Sequence, residues 1–597
     1  MAVSCIPYDE KRLERLKAAS LAKRRIHGPH HSLVFRPLDS SYFLDAYVAN
    51  LDKPPLLREA MALEAKAKHE RLEICPDEFL VGRLSLEAFD RVYFETLGVR
   101  KDLSDSPAVL TPEAARVRQA RLDMAGERLV RRAAQRAMGP AARAAMDAHI
   151  GGTTFSGGHL IIDFEHVLRV GLQGVSAEVA ARGRLAGGVE PWFLEALART
   201  ASAISAWIAR YGQEAHALAA AAPPPRAREL EAIAEACAWV ATEPPRNLHE
   251  AVQLTWLLHA INVCDSLGRL DQYLWPFYQR DLAEGTLGRD DARMLLSLLW
   301  LKIVEGGYIQ NLTLGGANSV GEDAANDLTH LCLEVSRELR VPQPNLSLRL
   351  HKGTSLRLLQ NALHTVAAGL GVPAFYNDEV IVPALVELGV PLHEARGYAL
   401  AGCSQVVLPG ASHFGCDDGV LNVARCLELA LNNGRDPLTG AQVGPRTGEP
   451  EALASLADLC EALRAQVSWA VEAMAEALDA NERAHAEGAG FPVRSLLTRD
   501  CLERGKGIWQ GGARYNAIQT ECVGITNVAD ALVALKKLVY EQRVRPLAEV
   551  VRALNDDWRG EEGLRALCAN KMQKFGNDDP EVDSLYAEIA EMVYREV

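Results

Sequence analysis

Residues 397–410 read Gly-Tyr-Ala-Leu-Ala-Gly-Cys-Ser-Gln-Val-Val-Leu-Pro-Gly, and the interpretation of the rest of the chain starts from this segment. An apolar, strand-like run brings Cys403 between small residues and then stops at Pro-Gly, a pair that ends regular structure. The pattern therefore predicts Cys403 at a strand end, with its sulfur facing whatever that strand end faces.

Other segments of the chain share this make-up. Residues 371–379 (GVPAFYNDE) form a short apolar run that is broken by proline and closed by polar residues. Residues 311–316 (NLTLGG) and 342–349 (PQPNLSLR) belong to the same set. The set continues through 500–501 (DC), 505–506 (GK), 511–516 (GGARYN), 523–524 (VG), 527–530 (NVAD) and 575–579 (FGNDD).

Together these motifs resemble the catalytic domain of glycyl radical enzymes, the superfamily of pyruvate formate-lyase and diol dehydratase. The resemblance covers nearly the whole chain. It implies an α/β fold, a ten-stranded α/β barrel surrounded by helices. Residues 1–150 would form a mainly helical N-terminal part, and residues 151–597 the barrel core with the cysteine loop at 397–410. In that family the Cys403 position carries the thiyl radical that takes a hydrogen atom from the substrate.

Composition narrows the possible partners. Nearly half of the 597 residues are apolar, so a large core can be buried. The net charge of -14, with no sustained basic run, argues against nucleic acid or an anionic membrane as a partner. Since there is no apolar stretch of eighteen residues and no apolar signal core at the start, we expect a cytoplasmic protein.

The twelve cysteines predict neither disulfides nor a metal site. They are scattered, without a Cys-x-x-Cys pair or a Cys/His cluster at ligand spacing. For eleven of them the simpler interpretation is a small buried hydrophobic residue or an inert thiol. Cys403 differs because of its setting.

Residues 155–164 (FSGGHLIIDF) offer a second group of candidates. Gly-Gly allows a tight turn, after which His159 and Asp163 stand one helical turn apart or at a strand end. The resemblance implies that Phe155 and Asp163 line the substrate pocket, together with His159. The alternative is that Asp163 caps the following helix.

Two other segments bear on the substrate. Residues 257–266 (LLHAINVCDS) are shorter than the matching loop of the family and lack the His-Ser pair that contacts hydroxyls in glycerol and propanediol dehydratases, which counts against those substrates. Residues 413–418 (HFGCDD) fall where diol dehydratase relatives place a substrate-binding aspartate, and Asp417 matches best, with Asp418 close behind. Adjacent carboxylates are otherwise typical of a solvated helix start.

Gln405 occupies a position where several members of the resembled family have glutamate. A carboxylate there can move a proton to or from the substrate, whereas an amide cannot act as a base at neutral pH. Asp163 or Asp417 could take over if either is within reach. Otherwise the reaction needs only hydrogen abstraction and fragmentation, or addition to an alkene.

The source of the radical is a separate question. The family stores it on a backbone glycine in a C-terminal Arg-Val-x-Gly-Tyr-like loop, and residues 1–597 contain no such loop. We expect the glycyl radical domain to be absent from this chain and the radical to come in trans from a small glycyl-radical-bearing subunit. A radical S-adenosylmethionine enzyme with an iron-sulfur cluster would install it, and oxygen sensitivity would imply an anaerobic setting.

These observations predict the large catalytic subunit of a split radical lyase acting on a small polar substrate. Cys403 would abstract hydrogen, Gln405 orient a polar group, Asp163 and Asp417 bind or deprotonate the substrate, and Phe155 pack on its carbon skeleton. One alternative is a barrel that binds a small molecule or partner without turnover. Another is a non-radical enzyme with Cys403 as nucleophile and His159 or His413 as its base. The sequence leaves a homo-oligomer possible.

Overall fold

Long helices and short strands alternate in the computed structural model of the chain, which describes residues 6–26, 42–83, 130–153, 159–185, 188–262, 266–305 and 310–597. Most of the N-terminal half of the described chain is helical, and the division at residue 150 stays a prediction. The helices there are α1 (Glu10–Ile26), α2 (Tyr42–Ala49), α3 (Pro55–His69), α4 (Val130–Ala137), α5 (Pro140–Asp147), α6 (Phe164–Arg184), α7 (Pro191–Ala219), α8 (Pro224–Val240), α9 (Leu248–Asn262), α10 (Leu270–Tyr273), α11 (Trp275–Glu284) and α12 (Arg289–Glu305).

The C-terminal half mixes helices with most of the strands. Its helices are α13 (Asp327–Leu339), α14 (Leu356–Ala367), α15 (Asp378–Glu387), α16 (Leu392–Ala395), α17 (Val423–Leu431), α18 (Leu456–Gly488), α19 (Pro492–Leu496), α20 (Cys501–Arg504), α21 (Ile525–Leu535), α22 (Leu547–Asn555), α23 (Glu562–Lys571) and α24 (Pro580–Glu596). The strands of the whole chain are β1 (Gly151–Thr153), β2 (Asn311–Gly315), β3 (Asn345–Leu350), β4 (Ala374–Asn377), β5 (Ala399–Ala401), β6 (Gln405–Val407), β7 (Ser412–Asn422) and β8 (Tyr515–Val523). Short 3-10 turns lie at Pro450–Ala452 and Ile508–Gln510, and a π-helical turn at Lys536–Glu541.

A parallel sheet in the order β2-β3-β4 forms one part of the strand core. Asn311 pairs with Asn345, and Ser347 pairs with Ala374. Helices α13 and α14 make the crossovers between these strands, as parallel pairing requires. All five residues of β2 are buried, which is expected of a parallel strand covered on both faces.

Two further sheets complete the described strands. β7 pairs antiparallel with β1 and parallel with β8, and its register shifts between Gly415 and Gly419. β5 and β6 form a two-stranded antiparallel hairpin. The described residues thus contain eight strands, and the count of ten predicted for the barrel stays a prediction.

The longest described helix, α18 (Leu456–Gly488), carries a stripe of apolar residues at helical spacing. The stripe is buried in a core that also includes parts of α17 and α21. Its buried residues include Leu459, Leu463, Val467, Met474 and Leu478. The chain turns near the proline run 223–225, since α7 ends at Ala219 and α8 begins at Pro224.

Candidate active site

Cys403 lies in the turn of the β5–β6 hairpin, with its side chain exposed. The expected strand end is therefore the tip of a hairpin. Gly402 has φ +55°, in the left-handed region that glycine adopts most easily, and this allows the chain to reverse. Because it reverses there, Val407 pairs back with Ala399 and Gln405 with Ala401. The strand β5 below the tip is fully buried, so Cys403 is held on a rigid support.

Three polar side chains attach this hairpin to β2. Ser266 Oγ accepts hydrogen bonds from the backbone N–H groups of Gly402 and Asn311, both at 3.0 Å. Asn311 Nδ2 donates to the carbonyl oxygens of Gly402 at 3.4 Å and Cys403 at 3.3 Å. Thr313 Oγ1 accepts from the N–H of Leu400 at 2.8 Å. The motif 311–316 therefore fixes the backbone on which Cys403 stands, a role the sequence did not reveal.

A buried ion pair supports the hairpin from behind. Arg349 donates to both oxygens of Asp378, at 2.9 and 2.8 Å, and to the carbonyl oxygen of Tyr398 at 2.8 Å. The Tyr398 hydroxyl donates to Asp378 at 2.7 Å. Burial would raise the pKa of Asp378, but the hydrogen bonds and charge of Arg349 outweigh it and hold that pKa below its usual value. The segment leading into β5 is thereby linked to β3 and to the start of α15.

Gln405 connects the hairpin to β8. Its Oε1 accepts from the N–H of Ser404 at 3.1 Å, and its Nε2 donates to Glu521 Oε1 at 3.3 Å. From the same face of β8, Gln519 Nε2 donates to the carbonyl oxygen of Val406. Residues 519 and 521 share a face because alternate residues of a strand point the same way. The carboxylate of Glu521 thus lies beside Gln405.

His159 borders the cysteine turn. A Cβ atom added to Gly402 would lie 2.6 Å from His159 Cδ2 and 2.9 Å from its Nε2, so only glycine fits between the ring and the hairpin. Residues 159–163 have no regular secondary structure, and helix α6 begins just after them at Phe164. His159 therefore lies next to the cysteine turn, and its role in substrate binding stays a prediction.

Asp163 is the N-cap of α6, which confirms the structural alternative for this residue. Its Oδ1 accepts from the N–H of His166 at 3.1 Å, and its Oδ2 accepts from Arg499 Nε at 2.6 Å. The side chain also packs against Gly410, where an added Cβ would lie 2.4 Å from Asp163 Cβ. A carboxylate engaged at both oxygens is poorly suited to remove a proton, and the substrate-binding role of Asp163 stays a prediction.

His413 belongs to a buried aromatic cluster. Its ring meets Trp509 edge-on with centroids 4.4 Å apart, and His485 stacks on Trp509 at 3.9 Å. Burial, together with the charges of Arg494 and His485, lowers the pKa of His413 to about 3. This histidine is therefore neutral near pH 7.

Two predicted site residues fall outside what the structure describes. Phe155 lies in the segment 154–158, which is not among the described residues, and the side chain of Asp417 is likewise not described. The backbone at 417 and 418 belongs to β7, so the helix start that adjacent carboxylates often mark is not found there. Asp418 is fully buried.

Within the described ranges there is no group of three or more His, Cys, Asp or Glu residues that could hold a metal ion. No helix among the described residues is long and apolar enough to cross a membrane.

The cysteine hairpin lies next to the parallel sheet β2-β3-β4. Comparison with known proteins identifies the family to which this arrangement belongs. The family model described as pyruvate formate lyase-like matches residues 33–597, and the chain belongs to this family. A solved structure of a glycyl radical enzyme from Archaeoglobus fulgidus aligns with a TM-score of 0.85 and 28% identity, over 98% of this chain and 79% of that one. The predicted superfamily and its α/β barrel class are thus confirmed.

Relatives with named reactions include dehydratases. Trans-4-hydroxy-L-proline dehydratase from Clostridioides difficile is 33% identical over 68% of this chain. The present chain spans only 54% of that relative. A structure for 1,2-propanediol dehydration in Roseburia inulinivorans has a TM-score of 0.88 and 30% identity, over 99% of this chain and 79% of that one.

Proposed function

We propose that this chain is the thiyl-radical subunit of a radical lyase. A thiyl radical on Cys403 takes a hydrogen atom from a small polar substrate, and the substrate radical then breaks a C–C or carbon–heteroatom bond. The S–H bond is about as strong as an activated C–H bond, so the hydrogen can be returned without a large loss of energy. The observation that carries the proposal is the exposed Cys403 at the tip of a hairpin whose backbone is fixed by Ser266, Asn311 and Thr313.

The surrounding side chains are proposed to bind the substrate. Gln405 orients a polar group, His159 and Asp163 contact the polar end, Asp417 binds a hydroxyl or amine, and Phe155 packs on the carbon skeleton. Support comes from the positions of His159 and Gln405 beside the cysteine turn.

The radical itself is proposed to come from a small second subunit that carries a glycyl radical, installed by a radical S-adenosylmethionine iron-sulfur enzyme. Exposed apolar residues on β8, the strand next to the hairpin, support a covering partner, because Ile518 is 37% and Val523 is 44% exposed. Apolar side chains exposed next to a reactive site are typical of a surface that another segment covers.

The test is anaerobic purification of the native protein from its own cell. We expect a small glycine-loop protein to co-purify and the electron paramagnetic resonance spectrum to show a doublet. In D₂O the doublet should collapse to a singlet, because Cys403 passes solvent-exchanged hydrogen to and from the glycine. Cys403→Ala should keep the radical but lose this exchange and all turnover, while Cys568→Ser, a half-buried cysteine of α23, should behave like wild type.

The outcomes separate the parts of the proposal. A native polypeptide longer than 65.0 kDa that carries its own glycine loop would contradict the split arrangement and leave the radical lyase standing. A folded protein without a radical, alone or with its activating enzyme, would overturn the radical mechanism.

A second candidate is a non-radical enzyme in which Cys403 acts as a nucleophile. The contact of the His159 ring with the cysteine turn favours it, since a thiol needs a nearby base. In that case His159→Gln should slow alkylation of Cys403 by iodoacetamide at neutral pH, and the wild-type protein should be active in air without any partner.

A further inference from the structure

Glu521 is the one carboxylate that the described contacts place on Gln405. The amide of Gln405 bridges two groups, accepting from the N–H of Ser404 and donating to Glu521 Oε1. Since Ser404 directly follows Cys403, the carboxylate is separated from the cysteine turn by a single side chain. Glu521 is exposed, whereas Gln405 is only 7% exposed. Glu521 and Cys403 are thus both accessible to a small molecule from solvent.

Asp163, one of the carboxylates that the sequence suggests for proton transfer, is engaged elsewhere. Asp163 is bound at both oxygens, by the N–H of His166 and by Arg499. Glu521, by contrast, accepts a hydrogen bond from Gln405, the residue two positions after Cys403.

We propose that Glu521 is the general base of this site and that the Gln405–Glu521 pair moves the catalytic carboxylate from the hairpin to β8. This inference rests on the proposed radical lyase function. In the step concerned, a proton leaves the hydroxyl or amine of the substrate radical and binds a Glu521 carboxylate oxygen. The O–H or N–H bonding pair stays on the substrate heteroatom, and the resulting carboxylic acid returns the proton to the leaving group or to solvent. Glu521 is then a catalytic residue, and Gln405 holds it in place.

The test uses the activated protein with its radical partner and follows both product formation and the radical. The probes are trans-4-hydroxy-L-proline, 1,2-propanediol and a low-molecular-mass extract of the source cells, with products identified by mass spectrometry. Glu521→Gln preserves an acceptor for Gln405 and should keep the radical doublet and its exchange in D₂O. We expect it to lose about a hundredfold or more of product formation, the size typical of a missing general base.

Two further variants sharpen the comparison. The double variant Gln405→Glu/Glu521→Gln places the carboxylate back on the hairpin and should recover at least part of the activity lost in the single variant. Glu387→Gln removes an exposed carboxylate at the end of α15 and should match wild type. If Glu521→Gln proves unstable, Glu521→Asp retains the charge on a shorter side chain and should be partly active.

The possible failures are distinct. Product formation by Glu521→Gln at the wild-type rate would overturn the assignment of Glu521 and leave the radical lyase intact. A wild-type protein without the radical, or without exchange in D₂O, would overturn the proposed function and this assignment with it.

Discussion

At the scale of single residues, Asp163 shows how a structural role and a substrate role can be separated. The residue caps α6 and pairs with Arg499. Asn is as good an N-cap as Asp, so Asp163→Asn should leave the free energy of unfolding nearly unchanged apart from the lost ion pair. Asp163→Ala should lower it by about 1 kcal/mol, the usual value of a cap.

Denaturation in urea measures both changes, and steady-state kinetics separates the second role. If Asp163 also binds substrate, Asp163→Asn should raise KM or reduce kcat although the protein is stable. Wild-type kinetics in Asp163→Asn would mean that the residue is structural only.

The sequence predicts several candidate site residues but not the contacts among them. Cys403, Gln405, His159 and the capping alternative for Asp163 could all be inferred from local pattern or resemblance. The partner of Gln405 could not, because Glu521 lies 116 residues away and meets it only through the packing of β8 on the hairpin. Local spacing carries no information about such a contact.

At the scale of elements, the Arg349–Asp378–Tyr398 network joins β3, α15 and the start of the cysteine hairpin. Arg349 is completely buried, and the Asp378 side chain is 4% exposed. Asp378→Asn would leave the buried guanidinium without its counter-charge. We expect it to lower the free energy of unfolding by about 3 kcal/mol, the cost typical of breaking a buried pair.

Thermal and urea denaturation would check this value. Glu379→Gln is the matched control. Glu379 directly follows Asp378, its side chain is exposed, and Gln retains an acceptor for the N–H of Lys352. If Asp378→Asn lowers the free energy of unfolding no more than Glu379→Gln does, the network contributes little net stability. Because Arg349 also binds the carbonyl of Tyr398, the variant should make Cys403 more reactive toward bulky thiol reagents.

The elements themselves were predictable to different extents. The apolar residues of α18 recur at helical spacing from Leu459 to Leu478, and this pattern predicts a helix directly. The segments 311–316, 342–349 and 371–379 contain β2, most of β3 and β4, respectively. The hairpin did not follow from sequence, because Val406 and Val407 continue the apolar pattern of β5 and only the positive φ of Gly402 reverses the chain.

At the scale of the whole molecule, buried neutral histidines connect stability with pH. Burial is the main cause in each case, and it lowers the pKa of His249 and His259 to about 4 and that of His413 and His485 to about 3. In the unfolded chain these histidines take up protons near pH 6.5, the ordinary pKa of an exposed imidazole. The unfolded state therefore binds more protons between pH 6.5 and about 4, and stability is lost as the pH falls through that window.

A single histidine isolates this effect. His249 is 2% exposed and stacks on Phe79 with ring centroids 4.4 Å apart. Between pH 6.5 and 4, wild type should lose stability relative to His249→Gln with a slope approaching about 1.4 kcal/mol per pH unit. Glu482 acts in the opposite direction, because burial raises its pKa to about 7, but its contribution is the same in both proteins and cancels in the difference.

Urea midpoints and slopes measured at pH 7.5, 6, 5 and 4.5 give the comparison. His216→Gln is the control, since the His216 side chain is 74% exposed, and it should follow the wild-type curve. If His249→Gln were as sensitive to acid as wild type, the buried imidazole would have to be protonated in the folded state. That result would require a counter-charge near Phe79, because a charged ring in an apolar core is otherwise too costly to persist.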